Sequence, residues 1–208
     1  MVLSYATEIG AVFYDFLGEA GDRAFMGPLR REVIGRAQGV VVEIGSGTGR
    51  NFPYYHAGKV NYLYAIEPNL QMARRAVPRA DGTDLLIEFL EDDAERLPFE
   101  DGFADTVVAT LVMCTVRRPE AVLSEVKRIL KPSGKLLFIE HVRSDEPWRA
   151  TLQDWATPLT RIWSANCHLN RATIDLIRTS GFRIEDLRRI NAGAPWMRPF
   201  EAGVASHA

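Results

Sequence analysis

Cysteine is scarce in this 208-residue chain, which has only Cys114 and Cys167. Two thiols exclude a disulfide-built scaffold, and by themselves they cannot complete a zinc site. A charge surplus is missing too: 25 basic residues stand against 27 acidic ones, for a formal charge of -2. Nucleic-acid binders carry a basic excess, so that class is set aside. The longest apolar run without a charge is residues 106–116, far below the roughly 20 that cross a bilayer. An integral membrane segment is therefore not expected. Nor is a secretory signal, because the first basic residue is Arg23 and Glu8 and Asp15 interrupt the apolar start. Internal repeats and low-complexity stretches are absent. What remains is a single domain, 1–208, large enough to bury about 70% of its unfolded surface without staples. It is expected in the cytoplasm.

What the chain does have is a change of hydrophobic period. Ile9, Val12, Phe13, Phe16 and Leu17 recur at helical spacing, and Pro28 suits the first turn of a second helix over 28–36. Together they predict a helical N-terminal lid, 1–36. A β-branched run follows over 39–44 and reads as a strand buried on both faces. From there the pattern alternates. Strands are expected over 61–66, 85–90, 105–115 and 135–140, with helices over 70–77, stopped before Pro78, and 119–130. Lys131-Pro132-Ser133-Gly134 reads as a turn. Asn170 is placed as the N-cap of a helix ending at Ser180-Gly181, with strands over 182–187 and 199–205. Alternation of this kind implies a doubly wound α/β fold, a parallel sheet with helices on both faces. Residues 144–169 interrupt it and hold Trp148, Trp155 and Trp163, which places an inserted substrate lid there.

Glu43-Ile44-Gly45-Ser46-Gly47-Thr48-Gly49-Arg50 lies at the carboxyl end of the first strand, the edge where open α/β sheets bind ligands. Glycines there let a ligand touch the backbone, and a following helix would offer its N–H groups to an anion. A dinucleotide fingerprint needs Gly-x-Gly-x-x-Gly, but Arg50 holds the sixth position. Glu43 would also sit poorly beside a pyrophosphate. It suits a ligand with an ammonium group, such as S-adenosylmethionine, whose methionine arm carries both an ammonium and a carboxylate. Glu67, 20 residues beyond Gly47 and before Pro68, can accept hydrogen bonds from two ribose hydroxyls. That role serves NAD and S-adenosylmethionine alike. Asp93-Ala94 can face an adenine amino group, or belong with Glu91, Asp92 and Glu95 to a solvated acidic turn.

These strings resemble the class I S-adenosylmethionine-dependent methyltransferases, in particular the ubiquinone-biosynthesis-like branch called methyltransferase type 11. The resemblance rests on Val42 to Gly49, Ala65-Ile66-Glu67-Pro68 and Asp93-Ala94-Glu95-Arg96-Leu97-Pro98-Phe99. Asp101-Gly102-Phe103-Ala104-Asp105 and Glu125 to Gly134 complete it. It implies a Rossmann-like, mostly parallel seven-stranded sheet with an antiparallel last strand, and S-adenosylmethionine as cofactor. Carried over, it implies that Glu43, Gly45, Ser46, Gly47 and Gly49 cradle the methionine arm. Glu67 would hold the ribose, Met72 pack on the adenine, Asp93 and Ala94 read its edge, and Thr110 and Leu111 line the floor. A narrower likeness lies in Thr110 to Val116, Ile139-Glu140-His141-Val142 and Asn166-Cys167-His168-Leu169-Asn170-Arg171. These are similar to a methyltransferase-like group that includes alkyl-thiol S-methyltransferases. A small, apolar acceptor is the substrate this implies, with phospholipid or quinone-type acceptors as alternatives and a nicotinamide-dependent oxidoreductase as the rival enzyme class.

Methyl transfer from a sulfonium disperses charge, so alignment and exclusion of water matter more than an oxyanion hole. His141, ending the fifth strand, is the candidate base; its alternative is to orient the lid. Cys114 reads as a small buried hydrophobe, a Cys–His pair is not expected from Cys167 and His168, and no cluster points to a metal.

Overall fold

The computed structural model describes residues 25–163 and 166–208; the expected helix around Ile9 to Leu17 lies outside them. Seven strands form one sheet: β1 (Gly39–Ile44), β2 (Val60–Ile66), β3 (Ile87–Leu90), β4 (Ala104–Thr110), β5 (Leu130–His141), β6 (Phe182–Ile190) and β7 (Phe200–His207). Their order is β3-β2-β1-β4-β5-β7-β6. The pairs from β3 to β5 are parallel, whereas β7 runs antiparallel to both β5 and β6. The sheet is thus the mostly parallel, doubly wound one expected, with its last strand reversed. β2 and β3 extend one side of β1 and β4 starts the other, so the order switches between β1 and β4.

Strand alternation divides the core. Val42 and Ile44 join Val107 and Ala109 on one face, covered by Val122, Leu123, Val126 and Ile129 of α3 (Pro119–Ile129) and by Ile174 and Ile177 of α5 (Thr173–Thr179). Val41, Leu63 and Val108 face the other way, under Leu29, Val33 and Ile34 of α1 (Gly27–Ile34) and Ala76 of α2 (Leu70–Asp81). α1, expected as part of a lid, is a core helix, because its apolar residues meet the sheet directly.

Several boundaries differ from expectation for identifiable reasons. α2 continues past Pro78 to Asp81, less than one turn beyond a proline that removes an N–H donor and crowds the carbonyl four residues before it. β4 stops at Thr110 rather than reaching residue 115, because Leu111 adopts a left-handed φ of 58° and turns the chain. β5 begins at Leu130, and the expected turn at 131–134 is absorbed as an irregularity between Ala104 and Thr106 of its neighbour. Asn170 is no N-cap: α5 starts at Thr173 after Ala172, and the Asn170 amide donates to Asp154 instead, at 2.8 Å. No α-helix follows the glycine loop either. Gly47 and Gly49 have φ of 56° and 75°, and the chain passes through turns and a 3-10 helix, Phe52–Tyr54. The interrupting segment contains one long helix, α4 (Pro147–Trp163), on which Trp148 and Trp155 are exposed.

Candidate active site

A cavity of about 890 Å³ opens over the carboxyl ends of β1, β2 and β4, at the switch in strand order. That volume is ordinary for a cofactor site. Gly45, Gly47, Glu67, Pro68, Met72, Asp93, Ala94, Thr110 and Leu111 all line it, so nine of the expected residues share one wall. Val112, Thr115, Val116 and Arg117 of the turn after β4 join them, with Asp92 and Glu95 from the acidic turn. Arg161 and Asn166 enter from the end of α4 and the loop after it. Both fall in the 144–169 segment expected as a substrate lid, and Asn166 opens one of the family-like strings, but only packing brings their side chains here.

The two lining glycines differ. A Cβ on Gly45 would meet Val112 Cγ2 at 2.7 Å, so that glycine serves packing. A Cβ on Gly47 would find nothing nearer than Met72 Cε at 3.8 Å, so its absence leaves backbone bare to the cavity. Gly49 is a third case. Its Cβ would come within 2.6 Å of the Phe52 ring, and it does not line the cavity.

Glu67 is the organising acid. Its Oε2 accepts the Gly47 N–H and its Oε1 the Asn69 N–H, both at 2.9 Å. Burial raises its pKa against those two hydrogen bonds. Each oxygen keeps acceptor capacity beyond its backbone bond, enough for a pair of ribose hydroxyls. Asp93 accepts the Glu95 N–H through Oδ1 at 3.0 Å, which leaves Oδ2 for an amino group. Bare backbone, a pair of acceptors and a second acid across an 890 Å³ cavity fit an adenosyl ligand.

Glu43 is placed differently from expectation. Strand alternation points it to the α1 face, where it is 2% exposed and off the cavity wall. Tyr55 donates to its Oε2 at 2.6 Å and Asn51 to its Oε1 at 2.9 Å. Asn51 also donates to Thr110 Oγ1 at 3.0 Å and accepts from Arg30. Burial lifts the Glu43 pKa to about 7, against the Tyr55 and Asn51 hydrogen bonds. Glu43 therefore braces the glycine loop from behind. Ser46 is likewise buried, and its backbone ties the loop to Ile66 and Gly49.

His141 does end β5 at the ligand edge, but its ring is 6% exposed and is not part of the cavity wall. It packs on Phe200 with ring centroids 4.2 Å apart, and its Nδ1 faces two sulfurs: Cys167 Sγ at 3.6 Å and Cys114 Sγ at 4.0 Å. Two expectations change here. The position does not suit direct proton abstraction from a molecule in the cavity, and the cysteines form a cluster with this histidine that residue order concealed.

A sheet reversed at its last strand, with its ligand cavity over the β1/β4 switch, is the Rossmann-like methyltransferase fold. Solved structures agree. The [4+2]-cyclase SpnF superposes with a TM-score of 0.68 at 18% identity, over 91% of this chain and 82% of that one. An S-adenosylmethionine-dependent methyltransferase from Mesorhizobium loti gives 0.67 at 18% identity, over 86% and 96%. Sequence likeness is higher elsewhere. The chain is 32% identical over 171 residues to thiol S-methyltransferase TMT1A of Homo sapiens, covering 79% of this chain and 69% of that protein. It is 31% identical over 140 residues to a phosphatidylethanolamine N-methyltransferase of Cereibacter sphaeroides, covering 66% and 68%. The family model described as a methyltransferase domain matches residues 42–138, and the chain belongs to that family as an S-adenosylmethionine-dependent methyltransferase. Among the described residues no helix is long and apolar enough to cross a membrane.

Proposed function

We propose that this enzyme methylates small, apolar thiols on sulfur. The observation that carries the reading is the wall made by the turn after β4 and the end of α4. Leu111, Val112 and Val116 offer apolar surface there, and Arg117 and Arg161 add two guanidinium groups. Nearby cations favour a thiolate over a thiol and disfavour an ammonium acceptor. A thiol of pKa about 8.5 is already a few per cent ionised at neutral pH, so modest stabilisation suffices. The likeness to thiol S-methyltransferases supports the same acceptor.

Bound S-adenosylmethionine supplies a methyl group made electrophilic by its sulfonium. Glu67 holds the ribose, Asp93 and the Ala94 backbone read the adenine edge, Met72 packs on the base, and Gly47 admits the methionine arm to the backbone. The 144–169 segment acts as the acceptor lid, bringing Arg161 and Asn166 to the cavity. These residues work by alignment and by excluding water, and a thiolate acceptor needs no fixed base.

A second reading has its own observation. Asp92, Asp93 and Glu95 lie on the same cavity and would attract an ammonium headgroup, as in a phosphatidylethanolamine N-methyltransferase. One assay separates the two: release of S-adenosylhomocysteine with a small alkyl thiol, an aminoethyl phospholipid or no acceptor, and Glu67→Ala as control. Thiol-dependent release that the variant loses is the expected result. Release with the amine alone would overturn the thiol reading and leave the family assignment intact.

A further inference from the structure

Cys114, His141 and Cys167 come from three separate segments: the turn after β4, the end of β5 and the loop after α4. Their side chains meet in the interior, with the residues 0%, 6% and 5% exposed. The two Sγ atoms and Nδ1 all lie within 4.8 Å of one another, and the two sulfur–nitrogen separations are 3.6 and 4.0 Å. A metal bonded at about 2.3 Å to sulfur and about 2.0 Å to nitrogen sets them about 3.5 Å apart at tetrahedral angles. The two sulfur–nitrogen separations lie close to that distance.

We propose that Cys114, His141 and Cys167 form a binding site for a thiophilic metal ion, with Zn(II) as the ion this Cys2His set takes. Two soft sulfurs and an imidazole exclude the oxygen-seeking Mg(II) and Ca(II). Three protein ligands leave a fourth position for a small donor such as water. The inference stands independently of the thiol-acceptor reading.

The donors are held in place before any ion arrives. The Glu140 carboxylate accepts the N–H groups of Val112 and Met113 at 2.8 and 2.9 Å and that of Cys114 at 3.3 Å, which fixes the first turn. The Cys114 carbonyl accepts the His168 N–H at 2.7 Å, so the two cysteine segments are joined through backbone. Thr160 donates to the Cys167 carbonyl at 2.8 Å, and Thr173 to that of His141 at 3.3 Å. Arg171 donates to the carbonyls of Met113 and Val116, closing the cluster from the α5 side. Such pre-organisation is what a metal site requires of its supporting shell.

The place in the fold gives the ion a consequence. Thr115 and Asn166, next in sequence to Cys114 and Cys167, both line the cofactor cavity. Asn166 Nδ2 already donates to the Thr115 carbonyl at 2.7 Å. An ion on the cluster clamps these two segments of the cavity wall together.

The test uses the full chain, kept reduced and stripped with a chelator. Zn(II) is titrated in competition with a chromophoric chelator, and Co(II) serves as a spectroscopic probe. One equivalent of Zn(II) and an intense near-ultraviolet sulfur-to-Co(II) band are expected. Cys114→Ser and Cys167→Ser should each weaken binding by more than about 100-fold, and His141→Asn should do the same while leaving part of the sulfur band. Far-ultraviolet circular dichroism and a thermal melt of each variant check that the fold survives. Failure to bind near one equivalent, or binding undiminished in both folded serine variants, overturns the proposal.

Discussion

Replacing Glu67 should weaken the cofactor's hold more than any other single change at the cavity. The carboxylate accepts two backbone N–H groups, from Gly47 and Asn69, and has capacity for two ribose hydroxyls. Each hydrogen bond to a charged group contributes about 1.5–3 kcal/mol, so Glu67→Ala should raise the dissociation constant for S-adenosylmethionine by roughly 10- to 140-fold for every ribose hydroxyl it frees. Glu67→Gln should rescue little of this. Each oxygen already takes a backbone N–H, so an amide must direct its own N–H₂ at one of those donors. A pH dependence goes with it. Burial raises the Glu67 pKa, and the neutral acid has fewer acceptor sites. Affinity should therefore be flat at alkaline pH and fall as pH drops through the raised value. Isothermal titration of both variants, with thermal melts to confirm folding, measures this. Unchanged affinity in a folded Glu67→Ala protein would refute the assignment of the ribose to β2.

Gly47→Ala and Gly49→Ala should part company. Both residues have positive φ, so each substitution carries about 1–2 kcal/mol of backbone strain. Only Gly49→Ala also collides with Phe52 and should melt markedly lower, whereas Gly47→Ala should mainly lose cofactor affinity. Glu140→Ala strips three buried N–H groups of their acceptor and should cost about 2–5 kcal/mol in urea unfolding. A loss below about 1 kcal/mol would show that the turn after β4 does not depend on it. Burial lifts Glu43 to about 7 and Glu140 to about 8 from an ordinary 4.5. The folded state therefore binds their protons more tightly than the unfolded chain. Their contribution is fully present below about 4.5 and is lost as pH rises through 7 and 8. Relative to a Glu43→Gln/Glu140→Gln double variant, stability should decline between pH 5 and 9, and a rise would contradict the sign.

The readable part of the site was the part built from contiguous chain. Gly45 and Gly47 follow β1 and Glu67 follows β2, so the rule that parallel sheets bind ligands at their carboxyl edge is enough to place them on one cavity. Asp93 and Ala94, after the third strand, came with them, whereas Thr110 and Leu111 were implied by the family resemblance alone. Glu43 differs from expectation because alternation along β1, not its position at the strand tip, decides where its side chain goes. In a period-2 strand it shares a face with Val41, and that face meets α1. The helix expected after the glycine loop failed for a local reason: two glycines in the left-handed region, then Phe52-Pro53, favour tight turns.

By itself, then, the sequence determined the sheet, its glycine loop, the acid at the end of β2 and the family to which the chain belongs. The first three follow from hydrophobic period and from residues a few positions apart, and the family follows from the resemblance of its motif strings. Tertiary structure alone decided which side chains reach the cavity from far along the chain, as Arg161 and Asn166 do. It alone turned Glu43 into a brace and brought Cys114, His141 and Cys167 into one buried cluster. The physical reason is that strand order and the packing of α4 against the turn after β4 are global, many-contact outcomes. No spacing of residues along a single segment encodes them.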